Sequence, residues 1–330
     1  MPVLITGGAG YIGSHMCWHL VDQGQQIVVI DRLSTGFSWS LPKNAELIIG
    51  DVADQRLVED TIKRNNVDSI IHFAGSVVVP ESVADPLSYY RNNAVASMLL
   101  IESAVRCSVR NFIFSSTAAV YGDSALPLVA EDTPLSPQSP YASSKMMTEV
   151  MLSHAAAAHN LSYTILRYFN VAGADALLRT GQSTRGATHL IKAAAEAAVG
   201  KRTHLYVYGS DYPTRDGTCI RDFIHVSDLV EAHSLALERL RAGAGSVTLN
   251  CGYGKGYTVL EVIAAVRRHA QFDFNTVVQG RRQGDIVSVV ADTSKIRAEL
   301  GWKPKKDDLD KIVQDAIGWE SKLGTQNHQQ

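Results

Sequence analysis

Cysteine is scarce, neither sign of charge is in excess, and no long apolar run occurs; each shortage removes a class of function. The 330 residues include four cysteines, Cys17, Cys107, Cys219 and Cys251, set far apart with no Cys-x-x-Cys or Cys/His ligand spacing. That pattern argues against a disulfide framework and against a metal site, and favours a reducing compartment. The formal net charge is only -2 and the basic residues are scattered, unlike the footprint of a nucleic-acid or membrane-surface binder. No apolar stretch approaches the ~20 residues of a membrane span. A strand-like run already begins at Val3, which leaves no space for a charged leader and cleavage site. The cytoplasm is the expected location. Internal repeats and low-complexity tracts are also missing.

What is present is alternation. Short β-branched runs at 3–6, 27–31, 47–49, 69–73, 112–115 and 163–166 are separated by helical spacing at 12–23, 58–65, 94–107 and 141–159. This is the pattern of an α/β fold with a doubly wound parallel sheet. Residues 1–170 are read as a dinucleotide-binding Rossmann domain, to which later segments return. Residues 171–330 are read as mainly a smaller mixed α/β lobe that takes the substrate, with helices at 227–241 and 259–269. Thr258 and Glu261 have the capping-box spacing for the second of these. The polar tail 324–330 has no apolar periodicity and is expected to fray.

Gly7, Gly10 and Gly13 follow the first strand and open a helix, the arrangement that brings backbone amides to a pyrophosphate. Asp31 ends the second strand, where a carboxylate accepts hydrogen bonds from an adenosine ribose and repels a 2′-phosphate, favouring NAD over NADP. Arg32, beside it, is a guanidinium that would attract such a phosphate. Tyr141 and Lys145 share a helix face at i and i+4. A tyrosine with its ordinary pKa of about 10 needs about 4 kcal/mol of help to serve as a base near neutrality. An ammonium ~4 Å away at an effective dielectric of about 20 is of that order. Of the hydroxyls in the run 115–117, Thr117 is the candidate to hydrogen-bond the reacting oxygen.

With these motifs the chain resembles the extended short-chain dehydrogenase/reductase family, and within it the UDP-galactose 4-epimerases. The resemblance spans nearly the whole chain and rests on residues 6–15, 72–75, 115–122, Tyr141 with Lys145, 167–170, 208–214, 221–226 and 250–252. It implies that Tyr141 takes the proton from the sugar 4-hydroxyl while NAD accepts hydride, that the 4-keto sugar turns over, and that hydride returns to its opposite face. It further implies cofactor contacts from Tyr11, Ile12, Leu33, Ser34, Thr35, Gly36, Asp51, Val52, Phe73, Ala74, Gly75, Asn92, Ser115, Tyr168 and Phe169, besides the residues above. For the UDP-hexose it implies Asn170, His189, Leu190, Tyr206, Val207, Tyr208, Arg221, Arg282 and Asp285. A homodimer formed through the helices at 87–107 and 141–159 is implied too.

Two departures from the family stand out. Where many epimerases carry a cofactor-reaching lysine, this chain has Val77 in the run 76–79. Val289 takes the position that gates pocket size, small enough to predict that N-acetylated hexoses are admitted. Sugar-nucleotide dehydratases and decarboxylases need a carboxylate right after the Ser/Thr, and Ala118 and Ala119 stand there instead. A module that merely senses NAD is disfavoured by the intact tyrosine and lysine.

Overall fold

The structure, a computed structural model, describes residues 1–326 apart from Gln283. The apolar runs become β1 (Val3–Thr6), β2 (Ile27–Asp31), β3 (Glu46–Ile49), β4 (Ser69–His72), β5 (Asn111–Thr117) and β6 (Ser162–Tyr168). After β7 (Asn170–Ala172), β8 (His204–Tyr208) and β9 (Ile220–His225), the chain returns as β10 (Val247–Cys251). One seven-stranded sheet results, in the order β10, β6, β5, β4, β1, β2, β3, with every neighbouring pair parallel. The pleat sends Val3, Ile5, Val29, Ile71, Ile113 and Leu166 into one core and Leu4, Val28, Ile30, Ile70, Phe112, Phe114 and Ile165 into the other. Burial on both faces is why these strands read as unbroken apolar runs.

Helices fill both faces. On one side lies α1 (Tyr11–Asp22); on the other lie α2 (Gln55–Asn65) and, after the short α3 (Val79–Ala84) and α4 (Pro86–Tyr89), α5 (Ala96–Arg106) and α6 (Pro140–Ala158). Farther along come α7 (Leu190–Ala198), α8 (Val226–Arg241) and α9 (Val259–His269), and α8 packs on α1. A second small sheet has β9 beside β7, β11 (Gly256–Thr258) and β13 (Ser288–Val289), while β12 (Asn275–Gln279) pairs with β8. The chain closes with α10 (Ser294–Leu300) and α11 (Leu309–Gln326).

Several boundaries differ from the sequence reading, and the following matter to the site or the tail. The helix expected over 87–107 is interrupted by a π-helical turn at Tyr90–Val95, which leaves the Asn93 side chain 2% exposed and bonded to the Ser76 backbone. β5 and β6 run two residues farther than the apolar pattern, because ladder pairing continues through Ser116 with Arg167 and Thr117 with Tyr168. The tail expected to fray stays helical to Gln326, carried by a helix whose Ile312, Val313 and Ile317 are buried in the core; residues 327–330 lie outside the described residues. The capping box is present, with Glu261 N donating to Thr258 Oγ1 at 3.1 Å and Thr258 N donating to Glu261 Oε2 at 2.9 Å.

Candidate active site

The glycine turn joins β1 to α1, and its three glycines are there for different reasons. Gly7 has φ +68°, and a Cβ on it would lie 2.6 Å from the Ala74 amide nitrogen; one on Gly13 would lie 2.2 Å from the Gly7 carbonyl oxygen. Gly7 is required by its positive φ and by the close approach of the loop after β4, and Gly13 by the packing of the turn on its own backbone. A Cβ on Gly10 would meet nothing closer than 3.2 Å. Gly10 is instead the N-cap of α1, where no side chain closes the first amides and no acidic residue occupies the first turn. That open, positively polarised helix end suits a diphosphate.

Around the turn, Asp31 accepts from Ala9 N at 2.9 Å and Leu33 N at 2.7 Å. Its two oxygens retain lone pairs for ribose hydroxyls. Arg32 turns away from Asp31 to Asp51, 3.1 Å away, and to Asn92, so it does not offset the carboxylate that disfavours a 2′-phosphate. Ser34 and Thr35 are exposed, Leu33 has a positive φ, and Gly36 is buried against Ala9. Val52 is buried, Ile12 and Ala74 are half-buried, and the half-buried Phe73 ring lies 5.0 Å from that of His233. The Tyr11 hydroxyl donates to the Gly173 carbonyl at 2.7 Å, tying the turn to the segment after β7. Ser76 accepts from Asn92 at 3.1 Å, and Val77, at the departed lysine position, is 49% exposed.

The proton-transfer centre forms where α6 crosses the end of β5. Lys145 Nζ donates to the Ser115 carbonyl at 2.9 Å and lies 5.0 Å above the Phe114 ring centroid. A Cβ on Gly75 would stand 3.6 Å from that ammonium, so the loop after β4 closes against it. Burial brings the Lys145 pKa down to about 8, and Glu149 is the one charge that opposes the drop. Burial also pushes the Tyr141 phenol up, while the neighbouring Thr117 hydroxyl pulls the other way. The depression of Tyr141 expected from Lys145 is therefore not what the protein groups produce: burial dominates, and the opposing cause is Thr117 rather than the lysine. Tyr168, opposite Thr117 in the ladder, is buried with its hydroxyl bonded to His233.

The substrate candidates come from scattered elements. Pairing of β7, β9 and β13 brings Asn170 opposite Phe223 and Val289 opposite Arg221. Val289 is 6% exposed and packs in one cluster with Ala118, Tyr121 and Phe169, directly beyond Thr117. Arg221 donates to the Ile220 carbonyl at 2.8 Å. Arg282 grips Asp285 at 3.0 Å and lies 4.5 Å over the Tyr208 ring, so two residues expected to hold UDP hold each other. Tyr206 is 41% exposed, whereas the Val207 side chain is in the core. His189 caps α7 without a side-chain bond, leaving the first amides of that helix, Leu190 included, free.

Sequence reasoning missed Glu149 and Asn93. Glu149 was detectable as the next i+4 step after Lys145. Asn93 was not, because its position depends on the π turn.

Residues 3–252 match the Epimerase family, described as the NAD dependent epimerase/dehydratase family. The chain is 50% identical over 321 residues to the UDP-glucose 4-epimerase of Azospirillum brasilense, covering 97% of this chain and 92% of that one. Its structure resembles that of UDP-glucose 4-epimerase from Bifidobacterium longum, crystallised with NAD+ and UDP, with TM-score 0.92, 35% identity and 98% and 99% of the two chains covered. It also resembles the UDP-Glc/GlcNAc 4-epimerase of Campylobacter jejuni, with TM-score 0.84, 44% identity and 97% and 99% covered. A glycine turn, an acid-ended second strand and a Tyr/Lys pair at the carboxyl ends of the sheet's strands, together with these matches, make this chain a member of the NAD dependent epimerase/dehydratase family.

Proposed function

We infer that the protein is a UDP-glucose 4-epimerase, which interconverts UDP-galactose and UDP-glucose by oxidising carbon 4, letting the 4-keto sugar turn over, and reducing its other face. The observation that carries this reading is Lys145 Nζ held 2.9 Å from the Ser115 carbonyl at the end of β5, one helix turn from Tyr141 and against the loop at Gly75. NAD, when bound, accepts the hydride and returns it, and its positive ring adds charge beside the phenol. The fit of the turn to a dinucleotide rests on the open Gly10 cap and on Asp31.

Tyr141 removes the 4-hydroxyl proton and later gives it back. Thr117 steadies the oxygen between them, and Lys145 supplies positive charge from behind. Turnover of the ketone requires a loosely held hexose on a firmly held nucleotide. Guanidinium forks at Arg221 and Arg282 suit the diphosphate oxygens, Asn170 and the α7 amides lie within the same lobe, and Tyr206, Tyr208 and Asp285 suit the uridine. Alanines at 118 and 119 offer no second acid or base, which favours epimerisation over dehydration. The test is to give the purified protein UDP-galactose without added NAD and assay UDP-glucose. Replacing Tyr141 with Phe should lower kcat by about 10²–10⁴-fold while bound dinucleotide persists; undiminished turnover would remove Tyr141 as the base.

Three finer points belong to this proposal. The short Val289 wall supports use of N-acetylated UDP-hexoses, and failure of the wild type to convert UDP-N-acetylgalactosamine would refute it. Leu87, Val95, Met98, Met147 and Val150 are each more than 40% exposed on neighbouring helices of one face, which supports a homodimer; a monomer mass by light scattering would refute that. Four free cysteines support the cytoplasm, to be checked by cell fractionation. Among the described residues no helix is long and apolar enough to cross a membrane.

A further inference from the structure

The face of α6 that carries Tyr141 and Lys145 has a third member one turn on. Glu149 is 6% exposed, and side chains from two adjacent strands converge on its carboxylate. Arg167 Nε donates at 3.1 Å to one oxygen and Arg167 Nη2 at 2.7 Å to the other, and the Ser116 hydroxyl donates to the first. Ser116 and Arg167 face each other in the ladder of β5 and β6. They flank the two groups that touch the reaction, since Ser115 holds Lys145 and Thr117 meets Tyr141. The other arm of Arg167 donates to Tyr121 Oη at 2.9 Å and to the Glu131 carbonyl at 3.1 Å. Tyr121 Oη donates to Asn250 Oδ1 at 2.6 Å, and Asn250 Nδ2 to the Val129 carbonyl at 2.8 Å. Tyr121 packs with Val289 and Phe169, so the same buried network reaches the wall of the sugar pocket.

Building on the epimerase reading, we propose that Glu149 is a positioning residue: clasped by Ser116 and Arg167, it fixes α6 against the ends of β5 and β6, and so sets Tyr141 and Lys145 relative to Thr117 and Ser115. A one-residue slip of the helix is ~1.5 Å, and a misplacement of that size costs about 10²-fold in rate. Stability alone is a poor reason for such a pair, because buried ion pairs replaced by well-packed apolar groups often lose nothing. Glu149 also faces the lysine electrostatically. The other titratable groups around Lys145 are Tyr141 on its own helix and His72 on β4, and burial keeps His72 neutral, with its pKa brought down to about 3. Glu149 is therefore the one negative charge that holds the ammonium protonated in a desolvating site.

The test compares wild type, Glu149→Gln and Ser116→Ala as full-length holoenzymes. For Glu149→Gln the expectation is a kcat lower by about 10²-fold, with KM and bound NAD unchanged, and a Lys145 ammonium that titrates at lower pH by NMR of labelled lysine. Loss of the carboxylate that opposes deprotonation has that sign. Ser116→Ala keeps the ion pair and should lose several-fold in kcat. A Glu149→Gln protein with a lowered melting temperature but wild-type kcat and lysine titration would reduce Glu149 to a fold-holding residue and overturn the proposal. Should that variant fail to fold, an unchanged kcat in Ser116→Ala overturns it instead. If wild type does not convert UDP-galactose, the epimerase reading fails, while the lysine titration still decides whether Glu149 governs Lys145.

Discussion

The two sides of the cleft are built from different materials. The side proposed for the dinucleotide is backbone: a turn closed so tightly that two of its glycines admit no Cβ, an uncapped helix end, and a carboxylate held by the Ala9 and Leu33 amides. The side proposed for the nucleotide sugar is made of side chains brought from β7, β9, β13 and the segment after β12, with Arg282 and Asp285 satisfied by each other. A backbone site is fixed by local geometry and tolerates no change. A site of paired side chains must exchange partners to bind, so each of its members is worth less.

The sharpest test of that contrast is Gly10→Ala. Unlike Gly7 and Gly13, where a Cβ would clash outright, Gly10 would bring a methyl group to 3.2 Å from the Gly7 carbonyl oxygen, a tight contact relieved by a shift of a few tenths of an ångström. The variant should therefore fold with a melting temperature near wild type yet bind NAD at least about 10²-fold more weakly, or ~2.7 kcal/mol. The measurement is NAD released from the denatured protein, together with a titration of the apoprotein. Full NAD content would mean that the second glycine does not face the pyrophosphate and that the backbone account of this side is wrong.

Arg282→Ala should do less. Its guanidinium must leave Asp285 before it can hold phosphate, and its side chain is 39% exposed, so only the low end of a charge-assisted hydrogen bond, ~1.5 kcal/mol, is gained on binding. The expected result is a KM for UDP-galactose raised about tenfold, with NAD content unaltered. A collapse in kcat at constant KM would place Arg282 in the chemistry rather than in the grip.

The same division explains what could be read from the sequence. Gly7, Gly10, Gly13 and Asp31 lie within one βαβ unit, and Tyr141 and Lys145 within one helix turn, so their spacing is visible in the sequence. The sheet's central strands were equally plain because burial on both faces leaves uninterrupted Val and Ile runs. Arg221 faces Val289 only because β13 pairs with β9, and Glu149 meets Arg167 only because β6 lies beside β5; no local pattern records either. The π turn at Tyr90–Val95 has no sequence signature, so the helix around Asn92 and Asn93 was drawn too regular.

Thr258→Ala is the smallest perturbation and tests the comparison from its far side. The capping box at the start of α9 is a purely local, sequence-readable device in the lobe whose functional residues are not local. Thr258 is fully buried, and its hydroxyl accepts the Glu261 amide while the Glu261 carboxylate accepts the Thr258 amide. Removing the hydroxyl strands one amide at a helix start and should lower stability by ~1 kcal/mol, read as a shifted midpoint in urea at constant slope. Neither KM for UDP-galactose nor NAD content should move, because the Thr258 hydroxyl and the Glu261 carboxylate bond each other's amides, and Glu261 also pairs with Arg215, none of them a residue proposed for the site. A raised KM in this variant would show that the nucleotide-sugar side depends on the local order of its lobe as strictly as the dinucleotide side depends on its backbone, and the distinction between the two would not hold.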